Sequence, residues 1–292
     1  MRIHLILNPE AGGGSGANYI GIWRRTAAAE GHALEITVPS APTEIVQAVQ
    51  RACQQGAERI LVAGGDGTVN HALPALAHSD IPLGIIPVGT ANVLARVFGI
   101  PLAPEQAFRV ACTGTVRNVD LGRANDRLYA LTAGMGFDAE VITEIVPRLK
   151  DLFGPLAYIT AGIQVLTRFK SSLFHLQFDG KELLLPAWLV IVANAGYYAY
   201  QLTVSPEARI DDGLLDVVIF AEQSALDRLT QIGATMLGQH TKHPNVQYFQ
   251  VRNLHVVANP AVRLQLDGDE ADSSPVDFSV LPGALRVMVP AF

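Results

Sequence analysis

The 292-residue chain has little charge and almost no cysteine. Charged residues make up 16% and apolar residues 49%, with mean hydropathy +0.26. That balance excludes a disordered or low-complexity protein, because so apolar a chain has ample surface to bury. The 21 Lys and Arg are outnumbered by 27 Asp and Glu, giving a net charge of −6. No global basic field exists to hold a phosphate backbone, so nucleic acid is not expected as a partner. The two cysteines, Cys53 and Cys112, make neither a metal-ligand cluster nor a disulfide scaffold, which suits a reducing cytoplasm. A run of about 20 apolar residues, the length of a spanning helix, is also missing. Leu152–Thr167 is uncharged but short and carries Gly154-Pro155, while Leu183–Pro206 is interrupted by Pro186, Asn194, Gly196, a Tyr pair and Gln201. Ile3–Leu7 is too short for the apolar core of a signal peptide. A cytoplasmic protein is therefore expected. The length suggests two domains or one large one, and neither a fixed-period repeat nor a Pro- or Ser-rich linker divides them.

What is present, over residues 1–119, is an alternation of strand and helix. Arg2–Leu7, Leu34–Val38, Arg59–Ala63 and Leu83–Pro87 read as strands, and Asn18–Glu30, Thr43–Gln55, Thr68–Ala77 and Ala91–Phe98 as the helices between them. Four such units imply a mostly parallel sheet with helices on its faces. Over residues 120–282 the texture changes to short runs separated by turns: Arg127–Ala133, Phe174–Phe178, Leu183–Ala193, Leu214–Phe220, Leu254–Ala258 and Val262–Leu266. These read as antiparallel strands, with helical stretches over about Ala139–Phe169 and Ala225–Gly238.

Three glycine-rich turns, Asn8–Gly16 (NPEAGGGSG), Gly64–Thr68 (GGDGT) and Pro87–Asn92 (PVGTAN), each follow a strand and open a helix. In a parallel sheet all three lie at the C-terminal edge, where backbone N–H groups and helix N-termini create an anion site. The P-loop pattern is absent and the first turn lacks G-x-G-x-x-G, so a nucleotide-phosphate site of another kind is expected. Asp66 stands inside the most glycine-rich turn. A bare carboxylate there repels a polyphosphate unless Mg²⁺ bridges the two. The plainer alternative is that Asp66 caps its own helix. Two acidic turns follow in the β-rich part, Asp211-Asp212-Gly213 and Asp267-Gly268-Asp269-Glu270. They suit tight hairpins, or a metal site and a carboxylate base.

In combination, NPEAGGGSG, VAGGDGTVNHAL, PVGTANVLARVFGIP, GMGFDAEV at Gly134–Val141, SPEARIDDGLLDVVIF and QLDGDE resemble the diacylglycerol kinase-like lipid kinases, a family that includes bacterial diacylglycerol and phosphatidylglycerol kinases and sphingosine and ceramide kinases. The resemblance covers nearly the whole chain. It implies an α/β domain like that of NAD kinases and phosphofructokinases, a C-terminal β-sandwich domain with a helical insertion, and a final strand within residues 283–292, around Ala284–Val289, that returns to the first domain. It implies ATP and Mg²⁺ as cofactors. Asn8, Gly12, Gly13, Gly14 and, loosely aligned, Ser40 would approach the nucleotide. Gly64, Gly65, Asp66, Gly67 and Thr68 would hold phosphates and Mg²⁺, joined by Thr90 and Asn92 of the third turn. A second Mg²⁺ site would use Asp212 with the carbonyls of Arg209 and Leu214. Asp138 matches a position that faces the lipid head group in sphingosine kinases. The family's base is the Glu of a D-G-E turn. Here Asp269 takes that place and Glu270 follows it, so either carboxylate could act.

The expected function is ATP-dependent phosphorylation of a lipid hydroxyl, diacylglycerol-like, at the inner membrane face. Arg148 and Lys150 before Leu152–Thr167, and Arg168 and Lys170 after it, would suit transient contact with an anionic surface; a buried helix pair is the plainer reading. Ala199-Tyr200-Gln201 replaces a glycine triplet frequent in the family, so the identity of the lipid is not inherited. Two other readings stay open: a soluble-substrate kinase resembling NAD kinases, and a nucleotide-binding regulator without catalysis. A homodimer is also open.

Overall fold

A computed structural model describes residues 1–140, 169–197, 202–222 and 224–291. The apolar stretch Leu152–Thr167, most of the expected helix Ala139–Phe169, and Tyr198 to Gln201 lie outside them. The described residues form two compact units, one of residues 1–121 and 281–291 and one of the remainder.

The first unit is α/β. Its strands β1 (Arg2–Leu7), β2 (Ala33–Thr37), β3 (Arg59–Gly64) and β4 (Leu83–Pro87) pair in parallel in the order β2-β1-β3-β4. Helices α1 (Ile20–Ala29), α2 (Ile45–Gln54), α3 (Asp66–Leu76), α4 (Val93–Val97) and α5 (Pro104–Thr113) connect and cover them. Helix α1 packs on α5 through Trp23, which stacks on Phe108 with ring centroids 6.0 Å apart, and α2 packs on α3. With helices on its faces the sheet is fully buried at Ile60–Ala63, which is why β3 reads as an unbroken apolar run. Helix α5 has no counterpart among the expected helices; its buried face of Ala107, Phe108, Ala111 and Cys112 is small and mixed, so its periodicity is faint.

The second unit is built from antiparallel strands. After β5 (Thr115–Ala124) come β6 (Arg127–Tyr129), β7 (Thr132–Gly136), the one-turn helix α6 (Phe137–Glu140), β8 (Ser172–Phe178), β9 (Lys181–Ala193) and β10 (Leu215–Ala221). Helix α7 (Ala225–Met236) precedes β11 (Val246–Val251), β12 (Asn253–Asn259), β13 (Arg263–Leu266), β14 (Asp269–Ser273) and β15 (Val276–Val289). One path of pairing runs β14-β13-β7-β9-β8-β12-β15, and β10 joins β9 to β11. The end of β15 belongs to the first unit, where Val287 lies beside Leu83 of β4 in parallel.

Strands β9 and β10 are apolar on both faces. Val190, Val192, Val217 and Ile219 enter a core shared with Phe174, Leu264 and Phe278, while Leu189, Ile191, Val218 and Phe220 enter a second cluster with Trp188, against which Ile232 of α7 packs. That two-sided burial explains their continuous apolar sequence.

The expected strand Arg127–Ala133 is in fact two, β6 and β7. The cause is Asp267, whose carboxylate accepts the backbone N–H groups of Ala130, Leu131 and Thr132 at 2.7, 2.9 and 2.8 Å. Those three amides cannot also serve a strand ladder, so the chain steps sideways between β6 and β7. Among the described residues no helix is long and apolar enough to cross a membrane. Replacing Asp267 with Ala leaves three amides without this acceptor, so Asp267→Ala is expected to cost at least about 3 kcal/mol of unfolding free energy in urea denaturation, against near zero for Asp272→Ala on exposed β14.

Candidate active site

In the first unit the three glycine-rich turns meet. Each leaves the C-terminal end of a neighbouring strand, β1, β3 or β4, and their backbones approach more closely than any side chain permits. A Cβ on Gly12 would lie 2.1 Å from the Val88 carbonyl oxygen and one on Gly89 2.5 Å from the Gly65 Cα, while within the second turn one on Gly64 would strike the Thr68 side chain at 2.4 Å. Side chains join the turns as well. Asn8 Nδ2 donates to Thr68 Oγ1 at 2.9 Å. In the third turn Asn92 Nδ2 donates to the Gly89 carbonyl at 2.7 Å and its Oδ1 accepts the Gly89 N–H at 3.1 Å. Thr90 is exposed beside them, and Ser40 lines a small recess with Asn8.

Asp66 does not cap its own helix. It is the first residue of α3, and its two carboxylate oxygens accept the N–H groups of Val93 and Leu94 at 3.0 and 2.9 Å, holding α4 against α3. Each oxygen keeps a lone pair. Gly13, Gly14 and Gly67 differ from the interlocked glycines: a Cβ on Gly13 or Gly67 would meet nothing within 4 Å. Gly13 and Gly14 have positive φ, 67° and 84°, which accounts for their identity. Gly67 has neither positive φ nor crowding, and glycine within a helix costs about 1 kcal/mol relative to alanine. The space above it is open for a ligand to approach the backbone.

The second unit gathers Asp138 with the Asp267–Glu270 turn. Strand β13 pairs with both β7 and β14, placing Gln265 opposite Gly134 and Glu270, and Leu266 opposite Ala133 and Asp269. Asp267 and Gly268 form the hairpin turn, both with positive φ, 51° and 93°. Gln265, 2% exposed, links the two sites: its Nε2 donates to Asp138 Oδ2 at 2.6 Å, and its Oε1 accepts the Gly268 N–H at 2.7 Å. Gly134 opens the room for this pair, since a Cβ there would lie 1.9 Å from Asp138 Oδ2. Adjacent strand residues point to opposite faces, so Asp269 and Glu270 diverge. Glu270 pairs with Arg263 at 3.6 Å, whereas the exposed Asp269 side chain has no such partner among the described residues.

Burial pushes the Asp138 carboxyl up to about 7, and the Gln265 hydrogen bond opposes this only partly. Asp216, fully buried on β10, is likewise raised by burial; Tyr248 and Gln250 donate to it, and its Oδ2 is an orphan. Asp212 is exposed and folds its own turn, its Oδ1 accepting the Leu214 N–H at 3.0 Å, and Arg209 reaches Asp211 at 4.0 Å. Among the described residues no three His, Cys, Asp or Glu side chains cluster as metal ligands. Gln265 is visible in the sequence only as a member of QLDGDE; what singles it out, burial between two acidic sites, is a tertiary fact.

Residues 2–124 match the diacylglycerol kinase catalytic domain, and residues 132–289 match the YegS C-terminal NAD kinase beta sandwich-like domain. The chain belongs to the diacylglycerol kinase-like lipid kinase family. A diacylglycerol kinase of Mycobacterium tuberculosis is 33% identical over 246 residues, covering 82% of this chain and 79% of that protein. A diacylglycerol kinase of Staphylococcus aureus is 30% identical over 244 residues, covering 82% and 77%. The crystal structure of a diacylglycerol kinase from Bacillus anthracis superposes with TM-score 0.75 at 21% identity over 99% of this chain and 96% of that one; another chain from the same organism reaches 0.83 at 24%, covering 99% and 95%. At this level of identity the superpositions show a shared fold.

Because Asp138 binds its proton more tightly when folded, the stability its neutral form contributes is complete below the ordinary carboxylate value, is lost progressively as pH rises from about 4 to about 7, and is constant above that. Thermal melts of wild type and Asp138→Asn across that window are expected to converge at low pH, with wild type falling relative to the variant as pH rises.

Proposed function

We propose that the protein transfers the γ-phosphoryl group of ATP to a lipid hydroxyl, with diacylglycerol as the acceptor class that the relatives' names favour. The observation that carries this reading is the interlocked set of three glycine turns around Asp66 and Thr68, with open space above Gly13 and Gly67 where a ligand can reach backbone N–H groups. Phosphoryl transfer depends mostly on positioning and neutralisation of charge, which a rigid cradle of this kind provides.

The backbone of Gly12, Gly13, Gly14, Gly64, Gly65 and Gly67, with the hydroxyls of Thr68 and Thr90, would hold the phosphates. Asn8 and Ser40 would face the rest of the nucleotide, and Asn92 keeps the third turn in shape. Mg²⁺, when bound, offsets the phosphate charge. Asp66 would hold it through its remaining lone pairs, directly or through water, because Mg²⁺ usually needs only one or two carboxylates beside phosphate oxygens. A second Mg²⁺ would sit at Asp212 with the carbonyls of Arg209 and Leu214. Asp138, neutral below about pH 7, would donate a hydrogen bond to the polar head of the lipid. Asp269 would accept the hydroxyl proton: it takes the place of the acid in the D-G-E turn and its carboxylate has no ion pair among the described residues, whereas Glu270 pairs with Arg263 at 3.6 Å. The first unit thus serves the nucleotide and the second the lipid.

The test is incubation of the purified protein with γ-labelled ATP, a mixed lipid extract and NAD. Label in the lipid fraction is expected; label in a water-soluble product, or ATP binding without any transfer, would refute the proposal. Asp269→Asn is expected to lower turnover about 100-fold or more and Glu270→Gln to leave it within a few-fold. Asp66→Asn should abolish turnover and also loosen α4, since its amide cannot accept both N–H groups. Gly67→Ala should weaken ATP binding in calorimetry while the melting temperature holds or rises.

A further inference from the structure

Gln265 has an orientation that its neighbours dictate. A side-chain amide donates at Nε2 and accepts at Oε1, so its two ends are not interchangeable. A backbone N–H can only donate. The Gly268 N–H therefore requires Oε1, which accepts it at 2.7 Å, and this turns Nε2 toward Asp138, where it donates to Oδ2 at 2.6 Å. Oδ2 is thus committed as an acceptor. A proton placed there would face the hydrogens of Nε2, so a protonated Asp138 carries its proton on Oδ1. The pair lies directly on the backbone of β7, since a Cβ on Gly134 would lie 1.9 Å from Asp138 Oδ2 and 2.8 Å from Gln265 Nε2. With Gln265 2% and Asp138 7% exposed, water is a poor substitute for either bond.

We propose that Gln265 is a positioning residue that sets specificity: by keeping Oδ2 an acceptor it makes Asp138 present a donor, Oδ1–H, to the head group. The site then takes a lipid offering an acceptor oxygen, as an ester carbonyl does, in preference to one offering an ammonium. That preference rests on the lipid-kinase reading and on Asp138 as the head-group contact. An ammonium needs the ionised carboxylate, and burial disfavours that form, so that Asp138 keeps its proton below about pH 7. The same amide serves the turn that carries Asp269. Gly268 has φ 93°, and glycine moves readily between conformations, so the bond to Oε1 is what holds the peptide just ahead of Asp269. Asp267 ties the front of the turn to residues 130–132, and Gln265 ties its back. Two substitutions separate the two bonds. Gln265→Glu keeps an oxygen for the Gly268 N–H but sets its other oxygen against Oδ2, which draws the Asp138 proton between the two carboxyls and turns Oδ1 into an acceptor. Gln265→Met keeps the length and loses both bonds.

The test uses the full chain and two acceptors in detergent micelles, a diacylglycerol and a sphingoid base, at about pH 6, where Asp138 keeps its proton. In Gln265→Glu the KM for the diacylglycerol should rise about tenfold, more than kcat falls, and the ratio of kcat/KM for the diacylglycerol to that for the sphingoid base should drop about tenfold or more. In Gln265→Met kcat should fall for both acceptors, because the turn is released. Deuterium exchange of the Gly268 amide, read by NMR, should quicken at least about tenfold in Gln265→Met and stay slow in Gln265→Glu. A wild type that prefers the sphingoid base, or an unchanged ratio in Gln265→Glu, overturns the inference. So do equal losses for the two acceptors that follow the melting temperature, which would leave Gln265 a part of the core alone. Equal Gly268 exchange in wild type and Gln265→Met overturns it whatever the activity. If wild type transfers to neither acceptor the kinase reading falls, and the dissociation constants of the two lipids in the same micelles take the place of KM.

Discussion

A single carboxylate organises the acidic end of the second unit. Asp267 gathers the amides of Ala130, Leu131 and Thr132, and this ends β6, sets the start of β7 and pins the β13–β14 hairpin to the strand that leads into α6. Asp138 sits at the start of α6, Asp269 and Glu270 at the start of β14, and Gln265 spans the gap between them. The positions of all three acidic groups therefore follow from one set of charge-assisted hydrogen bonds. Such bonds are short and strong because the acceptor is ionised. A neutral residue in the turn could keep the hairpin but not its attachment to residues 130–132.

The first unit solves a similar problem in the same way. Asp66 reaches across from α3 to the two amides that open α4, just as Asp267 reaches across to a neighbouring segment. Around it the turns are locked by contact between backbones, with glycine wherever a Cβ would strike a carbonyl or a neighbouring chain. Rigidity and access are thereby divided among residues of one type. Gly12, Gly64 and Gly89 close the structure, and Gly67 leaves it open.

Much of this architecture is legible in the order of the amino acids alone. Strands β1 and β4 have the limits read from their apolar runs, and the three glycine turns stand together because parallel strands deliver their ends to one edge. What is not legible depends on contacts distant in sequence. The break between β6 and β7 is caused by a residue well over a hundred positions away. Strands β5, β11 and β14 are too polar to announce themselves: the first four residues of β5 and all of β14 are without a buried side chain, and β11 buries only its two terminal valines. The bond from Asp66 to α4 is hidden for another reason: an Asp at the start of a helix is so commonly a local cap that the longer reach has no separate sequence signal. The burial of Gln265 needs a partner surface to be defined at all.

The strand beside β4 has a consequence for how the protein is made. The end of β15 completes the sheet of the first unit, yet the entire second unit is encoded between the two strands. On the ribosome, the amides and carbonyls of that edge of β4 wait without their native neighbour until the second unit has been synthesised. An open strand edge is a template for wrong pairing. Order of synthesis thus makes the second unit the first that can finish folding, and leaves the glycine turns on a sheet completed only after it.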